Sequence, residues 1–121
     1  MARWLEAGGT HQFAFMGAAS RTLRGERSID CPKCGAAKLR AYFHMFNPGK
    51  RTGTVWVWCT RCRTTAHLPR VTPTVGLGPD PFARLSLEQF DALESDPAES
   101  FIDRLDRLVD DGTIAGGKRG T

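Results

Sequence analysis

The sequence has no long hydrophobic run. Its longest purely apolar stretch is Val55-Trp56-Val57-Trp58-Cys59, far short of the ~20 residues that a membrane-crossing helix needs. The first nine residues, Met-Ala-Arg-Trp-Leu-Glu-Ala-Gly-Gly, are broken by Glu6 and a glycine pair. They offer no apolar core for a secretory signal, so the expectation is a cytoplasmic protein without a membrane partner. Catalytic signatures are missing too. No Ser/His/Asp or Cys/His constellation stands in a known motif, and Gly8-Gly9 and Gly76-Leu77-Gly78 lack the continuation of a phosphate-cradling loop. The nucleobase-deaminase pattern needs H-x-E and P-C-x-x-C. Here Met45-Phe46 follows His44, and Pro32 comes after Cys31 instead of before it. Acidic residues are scarce in the first seventy positions. Glu6, Glu26 and Asp30 stand there against twelve Lys and Arg, which leaves +9. From residue 71 onward five basic residues meet ten acidic ones, which leaves −5. The net charge of +4 therefore averages two opposite halves.

A chain of 121 residues has room for one domain and an appendage. What it does contain is four cysteines in two close pairs. Cys31 and Cys34 stand in C-P-K-C-G, and Cys59 and Cys62 in C-T-R-C-R, with 24 residues between Cys34 and Cys59. Two C-x-x-C pairs at this separation have the arithmetic of a four-thiolate site for one structural Zn²⁺. Each pair makes a tight turn that aims two sulfurs at one point, and Gly35 suits the positive φ such a turn requires. Two disulfides, an iron–sulfur site and a redox C-x-x-C fit less well. Disulfides need a secretory context, and a redox pair stands alone before a helix. Four thiolates close the coordination sphere, so the expected zinc is structural and the protein is not an enzyme.

The stretch between the pairs predicts a β-hairpin. Leu39, Ala41, Phe43 and Met45 alternate with Arg40, Tyr42, His44 and Phe46, residues 47–53 are rich in turn formers, and Thr54–Cys59 is β-branched and aromatic. Arg63–Leu68 supplies a third strand, and the short alternation from His11 to Met16 suggests an edge strand. This order over residues 29–71 resembles the zinc ribbon group, a three-stranded antiparallel sheet capped by one zinc. The resemblance implies a metal-bound scaffold and no particular activity. Ribbons of transcript-cleavage factors carry an acidic pair at the hairpin tip, whereas Lys50-Arg51 stands here. His44 and His67 lie near the cysteines in sequence, but four cysteines already complete a tetrahedron, so both are expected to be ordinary sheet residues.

Trp56 and Trp58 share one strand face, and Arg40, Lys50, Arg51, Arg61 and Arg63 flank it. Aromatics interleaved with cations are what single-stranded nucleic-acid binders use, the rings stacking on bases and the cations neutralising phosphate. The opposing reading makes the tryptophans the ribbon's own core. Arg21, Arg24 and Arg27 add a possible cationic face on a helical turn upstream.

The acidic half predicts two helices. Ser86 and Gln89 form a capping box for the first, with Leu85, Leu87, Phe90 and Leu93 on its apolar side. Asp96, Pro97 and Glu99 suggest the start of the second, which stops at Gly112. Phe101, Ile102, Leu105, Leu108 and Val109 make its apolar stripe. Two short helices cannot bury such stripes alone, so Phe101, Leu105 and Leu108 cover the ribbon or form a face for a partner helix.

The expected organisation is a small α+β protein. An N-terminal arm spans residues 1–28, a zinc ribbon 29–71, a Pro/Gly linker 72–84, an acidic helical hairpin 85–112 and a disordered tail 113–121. The expected function is contact with nucleic acid, or with a nucleic-acid-processing machine, through the basic and aromatic face using Arg40, Lys50, Arg51, Trp56, Arg61 and Arg63. The alternative is a protein–protein interaction module, such as an accessory subunit, an adaptor or an antidote-type inhibitor.

Overall fold

The computed structural model describes residues 4–8, 10–24, 26, 29–47, 49–72, 80–95 and 100–113. Among them are four strands and three helices: β1 (Leu5–Glu6), α1 (Thr10–Leu23), β2 (Leu39–Asn47), β3 (Thr52–Cys59), β4 (Thr64–Val71), α2 (Leu87–Glu94) and α3 (Phe101–Asp110). The strands form one mixed sheet in the order β1-β4-β3-β2. β2, β3 and β4 are antiparallel neighbours, with Ala41 opposite Val57 and Val57 opposite Ala66. The short β1 runs parallel to β4, pairing Leu5 with Thr64 and Glu6 with Thr65. The sheet is thus four-stranded and mixed, not the three-stranded antiparallel sheet expected from the hairpin pattern. No described helix is long and apolar enough to cross a membrane.

The alternation in β2 and β3 becomes two cores, because successive side chains of a strand leave on opposite faces. Leu39, Ala41, Phe43, Val55 and Val57 pack with Phe15, Ala18 and Ala19 of α1. Tyr42, Trp56 and Trp58 pack with Phe90 of α2 and with Phe101, Ile102, Leu105 and Val109 of α3. The molecule therefore has three layers, α1, the sheet, and the α2–α3 pair. Leu105 and Val109 are wholly buried, and complete burial of such aliphatic side chains stabilises by about 2 kcal/mol each. At Gly53, opposite Met45 in β3, a Cβ would run into the carbonyl oxygen of His44. The hairpin closes only without a side chain there.

Several local expectations need correction. His11–Met16 is not an edge strand but part of the 14-residue helix α1. Over a longer window the helical period is clear, since Phe15, Ala18, Ala19 and Thr22 fall at i, i+3, i+4 and i+7 and are all buried. Arg21 lies in the last turn of α1 and Arg24 just beyond it, while Arg27 is outside the described residues. In α2 the capping box forms as expected, with the Ser86 hydroxyl accepting from the Gln89 backbone N–H at 3.1 Å and the Gln89 side-chain oxygen Oε1 accepting from the Ser86 backbone N–H at 2.9 Å. Leu87, however, is 54% exposed. The N-cap of α3 is Ser100, whose extended backbone (φ −65°, ψ 153°) ends the non-helical chain. Its hydroxyl accepts from the Asp103 N–H at 3.1 Å. The helix therefore starts later than a cap at Asp96 would place it; Asp96, Pro97 and Glu99 are outside the described residues. The C-terminal stop is as expected, with Asp111 as C-cap and Gly112 at φ 83°. The middle of the linker (73–79) and all but the first residue of the tail also lie outside the described residues.

Candidate metal centre

The two cysteine pairs sit at the end of the sheet where β3 runs out and β4 begins. Sheet register brings them together, because Leu39 pairs with Cys59 and Cys59 with Thr64. The two turns are built alike. In the first, Gly35 N–H donates to the Cys31 carbonyl at 2.9 Å, and in the second Arg63 N–H donates to the Cys59 carbonyl at 3.0 Å. The residue after each second cysteine takes a positive φ, 79° at Gly35 and 54° at Arg63. Glycine adopts this region freely, whereas a side chain there costs about 1 kcal/mol.

Backbone N–H groups point at the sulfurs. Lys33 and Cys34 donate to Cys31 Sγ at 3.3 and 3.4 Å, and Arg61 and Cys62 donate to the Cys59 sulfur. Cys31 Sγ lies 3.7 Å from Cys62 Sγ, and Cys34 Sγ 3.6 Å from Cys59 Sγ. All four sulfurs are within 4.8 Å of one another. A regular tetrahedron with metal–sulfur bonds of ~2.3 Å has edges of about 3.8 Å. The four cysteines fit one metal ion, and among the described residues no other group of His, Cys, Asp and Glu gathers in this way.

Burial and contacts set the thiols differently. Burial pushes Cys59 up to about 12, with the Cys34 and Cys62 sulfurs adding to the rise against its two backbone donors. Burial also raises Cys31. Cys62 is lowered to about 7, because its contacts with the Thr64 hydroxyl and the neighbouring sulfurs outweigh its burial. Thr64 Oγ1 lies 3.4 Å from Cys62 Sγ and accepts from Lys33 Nζ at 3.2 Å, which brings a positive charge beside a centre that collects negative charge on deprotonation. A metal displaces the remaining thiol protons, so its affinity falls as pH falls.

The basic and aromatic residues have mixed fates. Trp56 is 6% exposed and Trp58 wholly buried; the Trp56 ring lies 5.0 Å from Phe90 and 5.1 Å from Phe101. The tryptophan face is the floor of a core and not an open stacking surface. Arg40 and Arg63 are tied to α3 by two matching clamps. Asp106 Oδ1 accepts from Trp58 Nε1 at 2.8 Å and from Arg40 at 2.7 Å, while Arg40 also reaches Asp110 at 2.6 Å. One turn earlier, Asp103 Oδ1 accepts from Trp4 Nε1 at 2.9 Å and from Arg63 at 3.0 Å, and the Arg63 guanidinium stacks over Trp4. Lys50, Arg51 and Arg61 are exposed. Phe101 and Leu105 are buried against the sheet and Leu108 is half-buried beside them, so these three cover the molecule's own strands.

His44 and His67 stand apart from the cysteine cluster. The His44 ring stacks on Phe90 with centroids 4.1 Å apart and planes nearly parallel. Its Nδ1 lies 2.8 Å from Asp80 Oδ2, and Asp80 also accepts from the Tyr42 hydroxyl. Sequence reasoning missed this cluster, because Asp80 sits in a Pro/Gly-rich stretch 36 residues from His44 with no local signal of its partner. Comparison of the chain with protein-family models, curated proteins and solved structures finds no match.

Proposed function

We propose that the protein is a non-enzymatic binding module built around one structural Zn²⁺, a zinc ribbon extended by β1 and by helices on both faces. In this reading Cys31, Cys34, Cys59 and Cys62 hold the ion with four thiolates and leave no position for a reacting water. The ion closes the end of a small sheet, where its binding energy is folding energy. It acts in a reducing, cytoplasmic setting, where thiolates of this spacing meet zinc before they oxidise.

The module's target is nucleic acid, or a complex that carries it. The observation that supports this is which cations the acidic helices leave over. Arg40 and Arg63 are held by Asp103, Asp106 and Asp110. Lys50 and Arg51 at the hairpin tip and Arg61 at the second cysteine turn are exposed, and no described carboxylate forms an ion pair with them. Phosphate is the partner such solvated cations take, and each contact makes binding fall with salt. The protein-partner alternative draws on a different feature, Phe13 of α1, which is 80% exposed.

Two measurements test the proposal. Native mass spectrometry is expected to find one zinc per chain, lost in Cys59→Ser together with the cooperative melt. Fluorescence anisotropy with labelled single-stranded DNA and RNA is expected to show salt-dependent binding, weakened at least tenfold by Lys50→Glu combined with Arg51→Glu. Binding that ignores salt, or no binding to either strand, refutes the nucleic-acid reading. A pull-down by the wild type that Phe13→Ser abolishes would favour the protein partner.

A further inference from the structure

On the sheet face away from α1, at the end remote from the cysteines, the strands and α2 enclose an open groove of about 380 Å³. That volume lies at the lower end of the range for small-ligand sites. Its walls carry polar groups from four elements: His44 from β2, Thr54 from β3, His67 and Arg70 from β4, and Asp91 and Glu94 from α2, with Phe46 as an aromatic side.

His44 is the buried member, with 1% of its side chain exposed. Asp80 Oδ1 accepts from the Phe82 N–H at 2.9 Å and from the Tyr42 hydroxyl, and Oδ2 faces His44 Nδ1 at 2.8 Å. A carboxylate only accepts, so Nδ1 carries its proton whether the ring is neutral or charged. The other nitrogen, Nε2, is buried and has no hydrogen-bond partner among the described residues. Leaving such an atom unpaired costs about 1–3 kcal/mol, and folded proteins rarely do so. Asp91 and Glu94 are three residues apart on α2; burial and the Asp91 charge both raise the Glu94 carboxyl. Arg70 is exposed and has no described carboxylate partner. Phe46 and Arg70 lie at the sheet end nearest the hairpin tip, since Asn47 pairs with Thr52 and Gly53 with Val71. The tip carries Lys50 and Arg51.

We propose that this groove is a base-binding subsite for one nucleotide of a single strand. The base enters beside Phe46 and lies against the His44 and His67 rings, its amino group is accepted by Asp91 or Glu94, and its phosphate lies on Arg70. A heteroaromatic base offers both a flat face for stacking and the ring nitrogens and amino groups that pair with such side chains. Lys50 and Arg51 continue the phosphate track outward. This inference rests on the nucleic-acid reading above and adds the place where a base is held.

The test uses the full zinc-loaded chain, titrated with adenosine and cytidine monophosphates, with adenosine, and with inorganic phosphate. Ring resonances of His44 and His67 are followed by NMR. Both monophosphates and the nucleoside are expected to move both rings, and phosphate alone to move neither. Leu87→Trp, a surface change that fills the groove mouth, is expected to weaken monophosphate binding more than tenfold. Arg70→Ala is expected to weaken the monophosphates severalfold and leave adenosine unchanged. A single-stranded decamer that binds the wild type and Leu87→Trp equally, with unmoved histidine rings, overturns the subsite and leaves the general reading standing. Phosphate shifting the rings as strongly as the monophosphates overturns it as well. If neither decamer nor monophosphate binds, both readings fall.

Discussion

Replacing Asp106 by alanine tests how the acidic helices are held to the sheet. Asp106 Oδ1 takes two donors at once, the indole N–H of Trp58 at 2.8 Å and the Arg40 guanidinium at 2.7 Å. Trp58 is wholly buried, so Asp106→Ala leaves its N–H without an acceptor, at a cost of about 1–3 kcal/mol. Arg40, with 17% of its side chain exposed, loses one charge-assisted bond worth about 1.5–3 kcal/mol. It keeps Asp110 at 2.6 Å and the Asp106 carbonyl at 3.1 Å, which offsets part of that loss. The expected total is about 3 kcal/mol, a large share of the roughly 5–15 kcal/mol that stabilises an ordinary domain. Asp106→Asn retains an oxygen acceptor for Trp58 and removes only the charge, so about 1 kcal/mol is expected. Asp110→Ala should cost under about 1 kcal/mol, because that carboxylate is 61% exposed. The assay is urea unfolding followed by tryptophan fluorescence in excess zinc, so that metal loss does not enter the transition. Asp106→Ala within about 0.5 kcal/mol of wild type, or equal losses for alanine and asparagine, would show that the clamp is not what holds α3.

Arg63 gives a second test, since its positive φ of 54° costs any side chain about 1 kcal/mol that glycine avoids. Both Arg63→Gly and Arg63→Ala lose the Asp103 pair and the Trp4 stack, but alanine keeps the strain, so it should melt lower than glycine by that margin. Equal melting points would mean the turn is not strained. Acid provides a third. Burial favours the neutral forms of Asp80 and Asp103, but hydrogen bonds from His44 and Tyr42 to the first, and from Trp4, Ser100 and Arg63 to the second, outweigh it and hold both below the ordinary carboxylate range. A lowered folded value means stability that is full above about pH 4 and is lost as pH falls through the folded values. Urea midpoints at pH 7, 4 and 3 are expected to fall throughout in wild type, because protonation of the thiols also weakens metal binding, and the step from pH 4 to 3 is expected to be less steep in Asp80→Asn.

The opposite charges of the two halves also find their meaning in the clamps. Asp103 and Asp106 each meet one arginine and one tryptophan of the basic half. Part of the +9 is therefore spent inside the molecule, on a face where the sequence offered nucleic acid as the partner. Lys50, Arg51 and Arg61 remain exposed, and no described carboxylate of the helices pairs with them.

Features carried by neighbours in the chain were readable in advance. The cysteine spacing, the alternation of β2 and β3, the Ser86–Gln89 box and the stripe from Phe101 to Val109 each depend on a few adjacent residues. Local geometry repeats with a known period, so these appear in the structure almost as written. The helix from Thr10 to Leu23 is equally local, but six residues from His11 to Met16 are too few to show a helical period, which needs about a dozen. Tertiary structure alone decided the partners. The covering of Trp56 by Phe90 and Phe101, the parallel pairing of β1 with β4, and the meeting of His44 with Asp80 join residues far apart in the chain. Such contacts are chosen by which surfaces bury best against each other, a property of the whole packed molecule and of no single segment. The groove beside His44 is a consequence of that packing, because β2, β3, β4 and α2 must come together before it exists.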